Sequence, residues 1–303
     1  MLKVSIITVN FNNSHLTEEL LDSVYSHAAR CEVEWIVVDN GSNVDPVPLW
    51  RNKYKNVLFI RSNINLGFAG GNNLGIHKAT GNYLFLVNND TIFGEGLVDE
   101  MVAAMEANPQ WGMACPLIRY FDHPGILQFA GYTHMNYFMA RNQTKGQGQL
   151  DVGQFGRHPY ETAFVHGAAM FVRKSALKNV GTMAENYFLY FEEYDWSEAF
   201  KRNGWALVVV PSVHIFHKES MSVGKLSPLK AYFMTRNRIL FIRKNAHFSQ
   251  YCIFLLYFLL LVLPKDIFKA VKENNLGFIP QYFKAFYWNL THPVDSVDTG
   301  YTP

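Results

Sequence analysis

Four short apolar runs come at regular intervals near the start of this chain: KVSIITV (3–9), VEWIVV (33–38), VLFI (57–60) and YLFLV (83–87). Each has the length of a strand, and helical spacing falls between them. Leu16, Leu20 and Val24 recur every four residues, with Leu21 and Tyr25 beside them. NNLGIHKAT predicts a short helix stopped by Gly81, and Leu97, Met101 and Met105 mark another. Repeated strand–helix units dictate a parallel sheet with helices on its faces, so the fold class is α/β.

The middle of the chain breaks this rhythm. Residues 120–160 are rich in Gly, Gln, His and aromatics and carry no period, which predicts loops and irregular strands over one side of the sheet. Regular structure returns with FVHGAAMFVR (164–173), then a helix after YFEEYDW marked by Trp196, Phe200 and a stop at Gly204, then the strand WALVVV (205–210). From about residue 226 the composition turns basic and aromatic, which places a boundary between a first domain, 1–225, and a helical C-terminal region, 226–303.

Polar clusters follow three of the early runs: Asp39-Asn40-Gly41-Ser42, then SNINLGFAGGNN with Asn63, Asn65 and Gly67, then Asn88-Asn89-Asp90. Each alone reads as a turn. Parallel strands, however, bring their carboxyl ends to one crevice, where ligands of open α/β sheets bind. Three such clusters and a glycine-rich helix start point to one joint site. GFAGGNNLG does not have the G-x-G-x-x-G spacing of a dinucleotide fold, and no Gly-Lys-Ser/Thr follows it as in a phosphate loop.

Composition narrows the classes further. About half of the 303 residues are apolar, enough for a large core. A net charge of +2 gives no signal for nucleic acid. Cys31, Cys115 and Cys252 lie too far apart for a disulfide framework or a metal site, which suits a reducing, cytoplasmic compartment. No basic-then-apolar leader precedes the first strand.

FEEYDW concentrates Glu192, Glu193 and Asp195 near a helix start. A helix N-terminus favours negative charge, which is one explanation of the cluster. A general base is the other. By alternation His217 shares a strand face with Ile215 rather than with His214. The most apolar stretch, YCIFLLYFLLLVLP (251–264), is short for a membrane span. Arg236, Arg238, Arg243 and Lys244 precede it, Lys265, Lys269 and Lys272 follow, and aromatics from Phe278 to Trp288 come after. Such a mixture suits peripheral attachment to the inner face of a cell membrane, a homodimer interface being the other use of that surface.

VSIITVNFNN, VVDNGS, NLGFAGGNNLGI, YLFLVNND, HGAAMFVR, YFEEYDW and PSVHIFHKES occur in an order that resembles the family 2 glycosyltransferases, closest to the branch of bacterial rhamnosyltransferases and galactofuranosyltransferases. The resemblance covers roughly residues 3–245. It implies a GT-A fold: a single mixed, mostly parallel sheet with helices on both faces and a Rossmann-like nucleotide-binding half. It further implies a nucleotide-diphosphate sugar donor, Mn²⁺ or Mg²⁺, an inverting reaction, and a glycan or lipid-linked glycan acceptor. By resemblance Asp90 and His217 hold the metal, although Asn88 stands where the fullest Asp-x-Asp motif has its first aspartate. Thr8, Asn10 and Asp39 would meet the base. Asp39 would accept from its N3–H, which prefers a UDP- or dTDP-sugar. Asn65, Gly67, Asn72, Asn88 and Asn89 would face the sugar, ribose and diphosphate. Glu193 takes the position of the family's base aspartate, with Asp195 in reserve, and His166, Gly167 and Glu192 lie on the acceptor side. Two rivals remain open: a nucleotidyltransferase, which would need a basic glycine-rich first loop, and a non-catalytic nucleotide-sugar-binding scaffold.

Overall fold

The computed structural model describes residues 2–25, 30–218 and 227–301, so the boundary expected near residue 226 falls outside the described residues. The chain begins β1 (Lys3–Asn10), α1 (Ser14–Tyr25), β2 (Glu32–Asn40), α2 (Val47–Lys53), β3 (Val57–Ser62), α3 (Gly67–Lys78) and β4 (Tyr83–Asn88). The alternation read from the sequence is therefore real. It continues with β5 (Thr91–Phe93), α4 (Leu97–Ala107), β6 (Trp111–Tyr120), β7 (Leu127–Phe129), β8 (Tyr160–Glu161), β9 (Ala169–Arg173), α5 (Leu177–Val180), α6 (Glu192–Arg202) and β10 (Ala206–His217). Four helices end the described chain: α7 (Pro228–Asn245), α8 (Phe248–Tyr257), α9 (Leu263–Lys272) and α10 (Ile279–Thr291).

All strands among the described residues join one sheet, ordered β3-β2-β1-β4-β9-β6-β10-β5, with β7 on β6 and β8 on β10. β3, β2, β1 and β4 are mutually parallel, as are β6 and β10, whereas β9 and β5 run antiparallel to their neighbours. The sheet is thus mixed and mostly parallel, with helices on both faces. The carboxyl ends of β1 to β4 open on one edge, as the strand order requires.

Local departures from expectation have identifiable causes. α3 starts at Gly67 and ends at Lys78, before Gly81. Gly81 is needed because a Cβ there would lie 2.7 Å from the Ser5 nitrogen on β1. On α3, a Cβ at Gly75 would lie 2.4 Å from Ile7, and one at Gly71 2.8 Å from Val9, so these glycines let helix and sheet approach closely. β10 runs past Pro211 to His217, and its register on β6 shifts between Val210 and His214. Proline has no N–H for the ladder, so it sits where the ladder opens. Within 164–173, which reads as regular from sequence, only Ala169–Arg173 is strand, because a turn closes with Ala169 N–H donating to His166 O. β6 has no counterpart in the sequence reading, since Gly112 and Pro116 interrupt its apolar run.

Candidate functional site

Strand pairing assembles the site. β5 pairs antiparallel with the end of β10, setting His217 opposite Thr91 and so beside Asp90. Both residues are buried. The His217 Nε2 and Asp90 Oδ1 atoms lie 3.2 Å apart without hydrogen-bond geometry, and neither has another partner. On the far side of the ring, Nδ1–H donates to Gln128 Oε1 at 2.9 Å, which turns the Nε2 lone pair toward the carboxylate. Two buried acceptors facing one another are an arrangement that a cation would satisfy. A carboxylate and a neutral imidazole together suit a divalent cation such as Mn²⁺ or Mg²⁺, and Asp90 and His217 are the residues that would hold it. Among the described residues no third His, Cys, Asp or Glu completes a cluster.

At the end of β2 the buried Asp39 carboxylate is densely held. Asn10 Nδ2 donates to Oδ1 at 2.8 Å, Ser42 Oγ donates to Oδ1 at 2.5 Å, and Arg61 donates to Oδ2 at 2.5 Å. Arg61 is missing from the sequence reading, although the parallel β2–β3 register puts Asp39 directly beside it. Thr8, in the middle of the sheet, keeps a buried Oγ1 with no partner.

Several of the residues expected to meet a ligand also bond within the scaffold. Asn65 Oδ1 accepts from Asn40 Nδ2 at 3.0 Å and from Gly67 N–H at 2.9 Å, shaping the start of α3. Asn72 Nδ2 donates back to Phe68 O on its own helix. Asn89 reaches Thr17 on α1 at 3.0 Å. The Asn88 backbone N–H donates to Ala168 O, and its carbonyl accepts from Thr91 Oγ1 at 2.8 Å. Gly67 has a left-handed backbone (φ +71°), and a Cβ there would lie 2.2 Å from Phe188 O. It therefore joins α3 to the loop that carries the acids.

That loop is strained. Phe188, Tyr190 and Phe191 all have positive φ, at 63°, 71° and 73°. Bulky residues there are conformational outliers that the surroundings must hold in place. α7 supplies the restraint. The Asn237 side-chain amide faces the carbonyls of Tyr187, Leu189 and Tyr190 at 2.7–2.9 Å, and Arg236 donates to Asn186 O at 2.8 Å. Asn237→Ala would leave buried carbonyls without a donor, at a cost of about 1–3 kcal/mol. We expect a lower melting temperature by calorimetry, and an unchanged one would contradict the restraint.

The acids sit at the start of α6. Asp195 is buried, receiving Lys244 Nζ at 2.6 Å, Asn245 Nδ2 at 2.9 Å and Tyr187 OH at 3.3 Å, so it fastens α6 to α7. Glu192 is buried with Oε2 unpartnered, and burial followed by the charge of Glu193 raises its pKa well above the carboxylate range. Glu193 is half-buried, and burial raises its pKa to about 7. A Cβ at Gly167 would lie 3.9 Å from Glu193 Cγ, which brings the HGAAM segment against this acid. His166 accepts from Ala168 N–H through Nδ1 at 3.1 Å, so its proton is on Nε2. Burial first, then His217, lowers its pKa to about 3 and keeps the ring neutral. Its ring centroid is 6.1 Å from that of His217, which links the Asp90–His217 pair to the segment beside Glu193.

The model of the family described as Glycosyl transferase family 2 matches residues 5–181, more than half of the chain. The chain belongs to this family. The N-acetylglucosaminyl-diphospho-decaprenol L-rhamnosyltransferase of Mycobacterium tuberculosis is similar, at 25% identity over 240 residues, 73% of this chain and 77% of that protein. Among solved structures, GalNAc-T7 with UDP, GalNAc and Mn²⁺ superposes with a TM-score of 0.64 at 15% identity, over 80% of this chain and 48% of that one. S. aureus TarS residues 1–349 with UDP-GlcNAc gives a TM-score of 0.60 at 17% identity, over 94% and 79%. The fold is therefore GT-A, and this family 2 chain is a glycosyltransferase.

Proposed function

We propose that the enzyme transfers a sugar, with inversion, from a UDP- or dTDP-sugar to a hydroxyl of a lipid-linked glycan in the building of a bacterial surface polysaccharide. The observation that carries this reading is the facing pair of unpartnered acceptors, Asp90 and His217, at the carboxyl edge of the sheet. When bound there, Mn²⁺ or Mg²⁺ would neutralise charge on the donor diphosphate. Asp39, fixed by Asn10, Ser42 and Arg61, offers its remaining acceptor capacity to the base N3–H, with Thr8 alongside. Asn65, Gly67, Asn72, Asn88 and Asn89 hold the loops that meet the sugar, ribose and diphosphate. The acceptor lies against His166, Gly167 and Glu192. The UDP and UDP-GlcNAc bound to the structural relatives support a uridine donor, and the diphospho-decaprenol in the mycobacterial relative's name supports a lipid-linked acceptor.

Glu193 is the base in this reading. It takes the proton from the acceptor hydroxyl as that oxygen attacks the anomeric carbon. The bond from that carbon to the diphosphate oxygen breaks, and the electron pair leaves with the diphosphate. Asp195 is a positioning residue, since Lys244 and Asn245 occupy its carboxylate. A protonated Glu193 cannot accept, so activity should fall roughly tenfold per unit below pH about 7 and level off above it. Glu192 shares the same field, and the profile reports the two acids together. A flat rate between about pH 6 and 8 would remove Glu193 from the role. The reading itself is tested by incubating the enzyme with UDP- and dTDP-sugars and lipid-diphosphate glycans and determining product anomeric configuration by NMR. Inversion is expected, and retention would exclude the single displacement.

A further inference from the structure

α8 and α9 form one continuous helix, Phe248–Lys272, which is long and apolar enough to cross a membrane. It widens into a π turn over Phe258–Val262, where Leu263 N–H donates to Phe258 O, just ahead of Pro264. Proline removes a helical hydrogen bond and pushes away the carbonyl four residues back, which accounts for the widened turn. One side of this helix is packed on the protein. Phe254, Phe258, Val262, Leu263 and Ala270 are buried, Phe258 stacks on Phe286 of α10, and the Arg238 guanidinium of α7 lies over Phe254.

The opposite side is apolar and open. Ile253, Leu256, Leu260, Pro264, Phe268 and Val271 follow one another at three- and four-residue spacing, with Leu256, Leu260 and Phe268 61%, 70% and 69% exposed. Lys265, Lys269 and Lys272 each follow the stripe by one position and are also exposed, so a row of cations borders the apolar surface. Over residues 248–290 four lysines stand against two carboxylates, Asp266 and Glu273.

We propose that this helix lies in the plane of an anionic membrane surface, with the stripe among the acyl chains and the lysines at the headgroups. A spanning arrangement would require undocking the buried side from α7 and α10. Pairing with a second copy would bring lysine rows together with few acids to answer them, whereas anionic lipid neutralises them. The inference deepens the lipid-linked acceptor reading and rests on it for its purpose: α7, which packs against α8, also holds the loop and acids of the site. An acceptor anchored in the bilayer would therefore meet the acids one helix away from its surface.

The test is flotation of the full chain with phosphatidylcholine vesicles, with and without phosphatidylglycerol, beside the double variant Leu256→Gln/Leu260→Gln. We expect flotation that needs the anionic lipid, weakens at ~1 M salt, and falls at least about tenfold in the variant. No flotation, equal flotation of the variant, or resistance to alkaline carbonate extraction would overturn the in-plane arrangement. A dimer that the variant splits, without vesicle binding, would overturn it as well. Thermal stabilisation by UDP with Mn²⁺ is read on the same samples. Its retention when flotation fails separates loss of docking from failure of the transferase reading.

Discussion

Glu193→Gln should lower kcat by about 10²–10⁴-fold, the usual worth of a general base, while KM for the donor stays close to that of the unchanged enzyme. The substitution keeps shape and removes only the ability to take a proton. Its effect on stability should have the opposite sign. Burial raises the folded pKa of Glu193 to about 7, above the ordinary 4.5. Between those values the unfolded chain releases this proton and the folded chain keeps it, so stability declines as pH rises through that window and stays lowered above it. The glutamine variant lacks that decline and should melt no lower than the unchanged enzyme near pH 8, an alkaline point chosen above the raised pKa. Asp195→Asn offers the contrast. It breaks the contacts to Lys244 and Asn245, so its activity should fall together with its melting temperature. A Glu193→Gln enzyme with full turnover would disprove the assigned base.

The second large effect is at the cation pair. Asp90→Asn keeps volume but removes the charge, and turnover should fall by several powers of ten, since in the proposed mechanism a metal held there would supply several kcal/mol of leaving-group stabilisation. His217→Ala should act in the same direction. Gln128→Leu is the more discriminating change, because Gln128 bonds the His217 ring through Nδ1, on the side away from Asp90. Loss of such an orienting partner typically costs 10–100-fold in metal affinity, so excess Mn²⁺ should largely restore this variant and should not restore Asp90→Asn. Equal Mn²⁺ requirements in all three would contradict the assigned ligands.

The strand–helix order and the carboxyl-edge site were legible because they rest on local periodicity and on one topological rule. Alternation also settled the face of His217: Val213, Ile215 and His217 are all buried on β10. Arg61 could have been found by pairing the second and third strands in register. Gln128 could not, because 120–160 has no period to place it. The roles of Asn237 and Lys244 were hidden for a different reason. They lie in what reads as a separate helical region, and their contacts with the acid loop span about fifty residues of sequence. Asn65, Asn72 and Asn89 mark the opposite limit. Their residue type suits both ligand contact and turn or helix bonding, and the bonds to Asn40, Phe68 and Thr17 have no signature in the sequence.

The most direct test of the central claim is thermal stabilisation by UDP, dTDP and GDP, each with and without Mn²⁺, on the unchanged enzyme and on Asp90→Asn. A ligand at about a hundredfold excess over its Kd stabilises by about 2.7 kcal/mol. The account predicts a shift of that order with UDP or dTDP that requires Mn²⁺ and disappears in Asp90→Asn. An equal shift without metal or in the variant, or a preference for GDP, would contradict it.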